Sequence, residues 1–270
     1  LININKLHIY IVSLHSERVR KQRLTDLLDD AGLLPHSTFM PAIHKDYITK
    51  NYLDSQGYKA FDKWLDPKNK NRIYHNPIKT GEIACGIGHY MCWEAFAKSE
   101  YEYALILEDD VYWEDDLRKE IMEFMEFNQL DKSNIFYLGR IPLRPKKYTG
   151  YDNYDEVKGS EEWITKKYTR PYFSYNLQSY ILDKTAVNTI LDREPQKNLM
   201  TPDEIIPAFY SDHPHPKIKK LFPKSLKALA LTRESEPDAE VYNKSVGITW
   251  QQATEGITYS ILDSSEDYNE

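Results

Sequence analysis

Tyr103-Ala-Leu-Ile-Leu-Glu-Asp-Asp-Val111 joins an unbroken apolar run to three consecutive carboxylates. The run is short and lacks helical periodicity, so it reads as a strand buried on both faces, as in a parallel sheet. The acids then fall at its C-terminal end, where open α/β sheets bind their ligands. Three neighbouring carboxylates repel one another unless a divalent cation sits among them, and oxygen ligands suit Mg²⁺ or Mn²⁺. Glu108-Asp109-Asp110 is therefore a candidate metal–diphosphate site. The alternative is a solvated turn, since Asp115 and Asp116 follow as helix-start residues.

Upstream, Leu7–Leu14 reads as a first strand. Ser16 is placed to cap a helix that shows Leu24, Leu27, Leu28 and Ala31 on one face and stops at Gly32. Arg18 and Arg20 near that helix start oppose its dipole. They either reach toward a phosphate or belong to a solvated basic face with Lys21 and Arg23. Residues 44–80 are polar and irregular, with one helix expected around Tyr58–Leu65. Gly81-Glu82 opens a helix to about Ser99, with His89 and Trp93 one turn apart. A single histidine there is more often a hydrogen-bonded structural group than a ligand.

Downstream, Leu117–Phe127 reads as a helix and Ile135–Gly139 as a strand. Residues 142–172, rich in Tyr, Lys and acids, are too long for an ordinary connection and read as a functional loop or insertion. Leu177–Leu182 is a further strand, with Asp183 capping the next helix. Thr201-Pro-Asp-Glu204 has the form of a capping box, which by itself accounts for Glu204 but not for Asp203. Leu226–Leu231 is the last strand, and an acidic extension follows over 235–270. Strands alternating with helices argue for a three-layer α/β domain with a largely parallel sheet.

Composition removes several classes. The 270 residues carry a net charge of −7, with no basic footprint for nucleic acid. Mean hydropathy is −0.66, and no apolar run approaches the ~20 residues of a membrane span. There is no signal-peptide pattern, and the opening residue is Leu1, which leaves room for a preceding segment and leaves the compartment open. Cys85 and Cys92 on one helix would stand about 10 Å apart along its axis, too far for a disulfide. Dinucleotide, P-loop, GxSxG and HExxH signatures are absent.

Several blocks together resemble glycosyltransferase family 25, which includes bacterial lipooligosaccharide galactosyltransferases and collagen hydroxylysine galactosyltransferases. Gly81-Glu-Ile-Ala-Cys-Gly-Ile-Gly-His89 is similar to the family's GEIGCxxSH block, with Trp93 in its usual place, and Leu105–Val111 to its LxFEDDV block. Tyr137-Leu-Gly-Arg140, Ser174-Tyr175, Tyr180-Ile181, Pro202-Asp-Glu-Ile-Ile-Pro207 and His213-Pro214 resemble segments of the collagen-type branch. The likeness keeps order and spacing over roughly residues 8–216. Departures are Val12-Ser-Leu14 for INL, Ser16 and Glu17 where an arginine is common, Ala84 for glycine, Gly88 for serine, and Ser211-Asp212 for Asp-Lys.

The resemblance implies a GT-A-like α/β/α sandwich over residues 1–234, with nucleotide-binding (1–111) and acceptor-binding (112–234) parts. It implies a UDP-hexose donor, galactose favoured and glucose possible, and Mn²⁺. Glu108 would contact the ribose, Asp109 would support it, and Asp110 and His213 would hold the metal. Ser13, Leu14, Arg20, Glu82 and His89 would surround the nucleotide. Inversion needs a general base: Asp203 first, Glu204 second. The acceptor would be hydroxylysine in a collagen-like polypeptide or, alternatively, a glycolipid. A catalytically inactive binding or adhesion module and a metal-dependent phosphohydrolase are the readings from other classes.

Overall fold

The computed structural model describes residues 3–69, 72–113, 116–142, 162–231 and 246–249. Its elements are β1 (Leu7–Leu14), α1 (Arg18–Asp30), β2 (Ser37–Ala42), α2 (Lys50–Gln56), α3 (Thr80–Lys98), β3 (Tyr103–Glu108), β4 (Val111–Trp113), α4 (Leu117–Asp131), β5 (Ile135–Pro142), β6 (Glu162–Trp163), β7 (Tyr168–Arg170), β8 (Ser174–Asp183), α5 (Lys184–Leu191), α6 (Pro202–Ala208), α7 (Pro216–Leu221), β9 (Ala228–Leu231) and β10 (Val246–Thr249). Short 3₁₀ turns join several of them.

One sheet runs in the order β2-β1-β3-β8-β5-β9-β7-β6. Strands β2, β1, β3, β5 and β9 share one direction, and β8 is inserted antiparallel between β3 and β5. Two cores lie on opposite faces. One gathers Tyr10, Trp93, Phe96, Ile106, Tyr180, Val187 and Ile206 under α3, α5 and α6. The other gathers Ile9, Ile11, Leu24, Leu28, Leu107, Ile121 and Phe124 under α1 and α4. This is the expected GT-A-like three-layer α/β sandwich. Alternate residues of each strand feed opposite faces, so a strand buried on both sides reads as a continuous apolar run.

Local chemistry explains most boundaries. Asp116 caps α4 by accepting from Lys119 N–H at 3.0 Å, and Asp183 caps α5 by accepting from Ala186 N–H at 2.7 Å. Ser16 does not cap α1; the residue before that helix is Glu17, which makes no side-chain cap. The helix expected around Tyr58–Leu65 lies earlier, at Lys50–Gln56, between a Thr49 cap and left-handed Gly57. The polar 44–80 excursion folds back, and Phe61, Trp64 and Tyr74 are core residues. The 142–172 loop expectation falls mostly outside the described residues. So does the 235–270 extension, apart from β10, which pairs antiparallel with β4.

Helix α3 is buried nearly all round, and two glycines let it sit close to its neighbours. A Cβ on Gly88 would meet Val12 Cγ1 at 2.7 Å, so the position that departs from the family's serine is a helix–strand contact rather than a ligand contact. A Cβ on Gly86 would meet the Met200 carbonyl oxygen at 2.2 Å, and backbone does not move cheaply. Gly86→Ala should therefore cost about 1–3 kcal/mol or more in urea unfolding. Unchanged stability would mean that α3 and residue 200 are not in that contact.

Candidate active site

Strand β3 delivers its acids to a crowded place. Asp109 is buried and turns toward β1 and α1, where Ser13 Oγ–H donates to it at 2.8 Å and Arg20 Nη1 stands 3.5 Å away. Arg23 Nη2 donates to the Asp109 carbonyl at 2.9 Å. Burial pushes the Asp109 carboxyl up, and Ser13 and Arg20 pull it back. Burial lowers the Arg23 pKa, while Asp110 and Asp109 hold it up. Asp109, Ser13 and Arg20, all expected around the nucleotide, thus bind one another. Leu14 ends β1 beside them, half-buried.

Asp110 is different. Burial first, then repulsion from Glu108, raises its pKa to about 7, with Arg20 opposing. Among the described residues no donor reaches Asp110 Oδ1, which is buried. An orphaned carboxylate oxygen beside further acids is the environment a divalent ion would satisfy, so the residues present fit the expected Mn²⁺.

Glu108 is backed by a chain of hydrogen bonds. His89 Nε2 lies 3.2 Å from Glu108 Oε1, His89 Nδ1 lies 2.9 Å from Tyr180 Oη, and Trp93 Nε1–H donates to Tyr180 Oη at 2.9 Å. Trp93 is a donor only, so the hydroxyl of Tyr180 is free to donate to Nδ1, leaving Nε2–H for Glu108. His89 is fully buried behind this acid. It orients Glu108, the hydrogen-bonded structural role weighed for it from the sequence. Glu82 is held locally as well. Its Oε2 accepts from Lys79 N–H at 2.6 Å, which caps α3.

The start of α6 separates two adjacent acids. Asp203 Oδ1 accepts from Leu177 N–H at 2.9 Å. Asn176, with φ of 63°, adopts the left-handed conformation that Asn tolerates, and its backbone also serves Asp203. Burial and repulsion from Glu108 nevertheless raise Asp203 to about 7. The sequence placed it at a helix start, where the dipole would lower its pKa; burial among acids outweighs that.

Glu204 is not the capping-box residue its spacing indicates, and Thr201 makes no side-chain cap. It is 1% exposed, accepts from the hydroxyls of Tyr74 and Tyr175, and lies 3.0 Å from His213 Nε2. Burial raises its pKa, but the His213, Tyr74 and Tyr175 contacts outweigh it, and the net direction is down. Both oxygens of this carboxylate are in contact with the protein, Oε1 with Tyr175 and Oε2 with Tyr74 and His213. His213 Nδ1 accepts from His215 N–H at 3.0 Å, and its buried Nε2 stands 3.0 Å from Glu204 Oε2 without a well-formed hydrogen bond among the described residues. His215, read as turn structure, caps α7 and lies 3.1 Å from the Trp64 carbonyl.

Sequence reasoning gave no site role to Tyr74, Tyr180 or Cys85, and left Arg23 on a solvated basic face. Cys85 carried a signal: it stands one helical turn before His89, on the same face of α3.

Fold and strand-end acids together define an α/β domain of the GT-A-like class. A sequence profile described as glycosyltransferase family 25 (LPS biosynthesis protein) matches residues 6–206. The chain belongs to glycosyltransferase family 25. It is 26% identical over 209 residues to a glycosyltransferase 25 family member of Aedes aegypti, covering 77% of this chain and 32% of that protein. It is 22% identical over 209 residues to procollagen galactosyltransferase 1-B of Xenopus laevis, covering 76% and 31%. It is 28% identical over 225 residues to inactive glycosyltransferase 25 family member 3 of Homo sapiens, covering 82% and 35%. The chain spans about a third of the length of these curated relatives.

The lowered pKa of Glu204 makes it a source of stability that is present above the unfolded carboxylate value and lost as pH falls through the folded one. Glu204→Gln should cost about 1–3 kcal/mol at neutral pH, with a gap in Tm that closes below about pH 4. A gap independent of pH would show that the charge on Glu204 does not matter.

Proposed function

We propose that the chain is a metal-dependent inverting glycosyltransferase that moves a hexose, galactose by preference, from a UDP-sugar to a hydroxyl. The observation that carries this reading is the unpartnered, buried oxygen of Asp110 just after β3, with Asp203 at the start of α6 anchored by Leu177 N–H and both acids raised to about 7 by burial and repulsion from Glu108. Family membership supports it.

Asp110 would hold the ion through its unpartnered oxygen. A bound Mn²⁺ supplies Lewis-acid stabilisation of the charge that develops on departing UDP. Glu108, fixed by His89, addresses the ribose. Arg20 and Arg23 set positive charge beside the diphosphate and balance the acids. Asp203 is the general base: it takes the proton of the acceptor hydroxyl as that oxygen bonds to the anomeric carbon and the bond to UDP breaks. A pKa near the working pH suits a base, because it is both largely deprotonated and still basic. Its N–H anchors from residues 176 and 177 hold the carboxylate in one orientation.

Hydroxylysine of a collagen-like chain is the favoured acceptor, supported by the Tyr137–Arg140 and Pro202–Pro207 segments and by the name of the Xenopus relative. A glycolipid is the alternative, in line with the family's description. A non-catalytic module is the second reading, favoured by the relative named inactive in Homo sapiens.

UDP release should be measured with Mn²⁺ and a panel of UDP-sugars, with and without a hydroxylysine-containing peptide. Peptide-stimulated release from one UDP-hexose is expected. Asp110→Ala should abolish it, and Asp203→Asn should lower kcat by about 10²–10⁴-fold. Peptide-independent slow hydrolysis would overturn the acceptor, and no UDP binding would overturn the transferase.

Asp203 also carries a stability signature. Its pKa is raised in the folded chain, so its favourable contribution is complete below the unfolded value and lost as pH rises through the folded one, between about pH 4 and 7. Asp203→Asn should therefore raise Tm relative to wild type above pH 7 but not below pH 4, while kcat collapses. A variant that is inactive and less stable at pH 8 would argue against a buried, strained carboxylate.

A further inference from the structure

Among the described residues, Cys85, His89 and Glu108 form a trio unlike the all-oxygen acids beside it. Their ligand atoms all lie within 4.8 Å of one another. Cys85 Sγ is 4.0 Å from Glu108 Oε1, and His89 Nε2 is 3.2 Å from the same oxygen. A tetrahedral zinc with a Zn–S bond of about 2.3 Å and Zn–N and Zn–O bonds of about 2.0 Å has ligand–ligand edges of about 3.3–3.6 Å. Those two edges close on an ion with shifts of about 0.5 Å or less.

The donor set has its own selectivity. One sulfur, one imidazole and one carboxylate suit a borderline-soft ion better than Mg²⁺ or Mn²⁺, which prefer oxygen. Three protein ligands leave a fourth position open. The outer shell is already in place: His89 is held at Nδ1 by Tyr180, and Tyr180 in turn by Trp93. The site is reachable, since Glu108 is 34% exposed although His89 is 0% exposed, and Cys85 is only half-buried. Burial first, then Glu108, Asp203 and Asp110, pushes the Cys85 thiol well up, so without an ion the sulfur keeps its proton and the same acids favour a cation there.

We propose that Cys85, His89 and Glu108 bind one divalent ion of the zinc type, at a place separate from Asp110. The bound ion withdraws Glu108 from the nucleotide, a consequence that rests on the function proposed above. On binding, the Cys85 thiol releases its proton to solvent. The His89 proton moves to Nδ1, facing Tyr180 Oη, and Nε2 gives its lone pair to the ion. The Tyr180 hydroxyl becomes the acceptor for Nδ1–H and its own hydrogen turns away, and the ion replaces the His89–Glu108 hydrogen bond.

Cobalt(II) is the probe, added to the full chain and followed by absorption. A thiolate-to-cobalt charge-transfer band with strong tetrahedral d–d bands is expected at one ion per chain. Cys85→Ala should lose the sulfur band and weaken binding by about tenfold or more, whereas Cys92→Ala and Asp110→Asn keep it. A measurement on wild type needs no variant: Zn²⁺ should slow alkylation of Cys85 by about tenfold, read by peptide mass spectrometry. A cobalt spectrum without the sulfur band, or alkylation indifferent to Zn²⁺, overturns the site. In turnover, Zn²⁺ should inhibit Mn²⁺-supported UDP release, and Cys85→Ala should need about tenfold more Zn²⁺ for the same inhibition. A sulfur band in a chain that releases no UDP would uphold the ion site and sink the proposed function. UDP release with no sulfur band would do the reverse.

Discussion

Carboxylates brought together in a poorly hydrated place repel one another, and the fold answers each one differently. Asp109 meets Ser13, Arg20 and Arg23. Glu204 meets two tyrosine hydroxyls and His213. Glu108 meets His89. Asp110 keeps an oxygen without a donor, and Asp203 has backbone N–H groups that do not offset its burial. The pKa values separate accordingly: Glu204 falls, while Asp110 and Asp203 rise to about 7. Acids with separate environments can take separate roles, and the two left uncompensated are the ones able to bind a cation or take up a proton.

That separation depends on the inserted strand. β8 lies antiparallel between β3 and β5, in unbroken register with β3 and with shifts on either side of Gly139 in its pairing with β5. It presents Tyr180 to His89 and thereby to Glu108. Near its start, Tyr175 reaches Glu204 and the Leu177 N–H reaches Asp203. A parallel strand in this slot would reverse which of its ends lies beside the acids and could not serve both with these residues. The direction of β8 is thus a requirement of the site as much as of the sheet.

Much of the frame was legible. Strands β1, β3 and β9 and helices α3 and α5 announce themselves through apolar runs, periodicity and caps, all of which are local signals. The strand-end acids were legible for the same reason. The 44–80 excursion was not, because its polar, breaker-rich stretch hides three core aromatics that only tertiary packing reveals. Glu204 shows the limit most clearly. Thr201-Pro-Asp-Glu204 has a sufficient local explanation, yet Tyr74, Tyr175 and His213 come from distant segments and claim the side chain instead. The place of His213 beside Glu204 was out of reach on the same grounds, since a motif states which residue is present and not which distant side chain it meets.

Helix α3 shows why close packing and chemistry come together here. Gly86 touches the residue-200 carbonyl, and Gly88 touches Val12, so the helix lies nearer to β1 and to the α6 approach than any side chain would allow. That closeness brings Cys85 and His89 within reach of Glu108 at the end of β3. It also seats Trp93 against Tyr180 on β8. A methyl group at Gly86 would meet backbone and push the helix outward, loosening these contacts together, whereas at Gly88 the Val12 side chain would have to give. The glycines and the ligand-bearing residues of residues 81–89 are therefore parts of one device: the small residues set a distance, and the acid–imidazole–thiol chemistry depends on it.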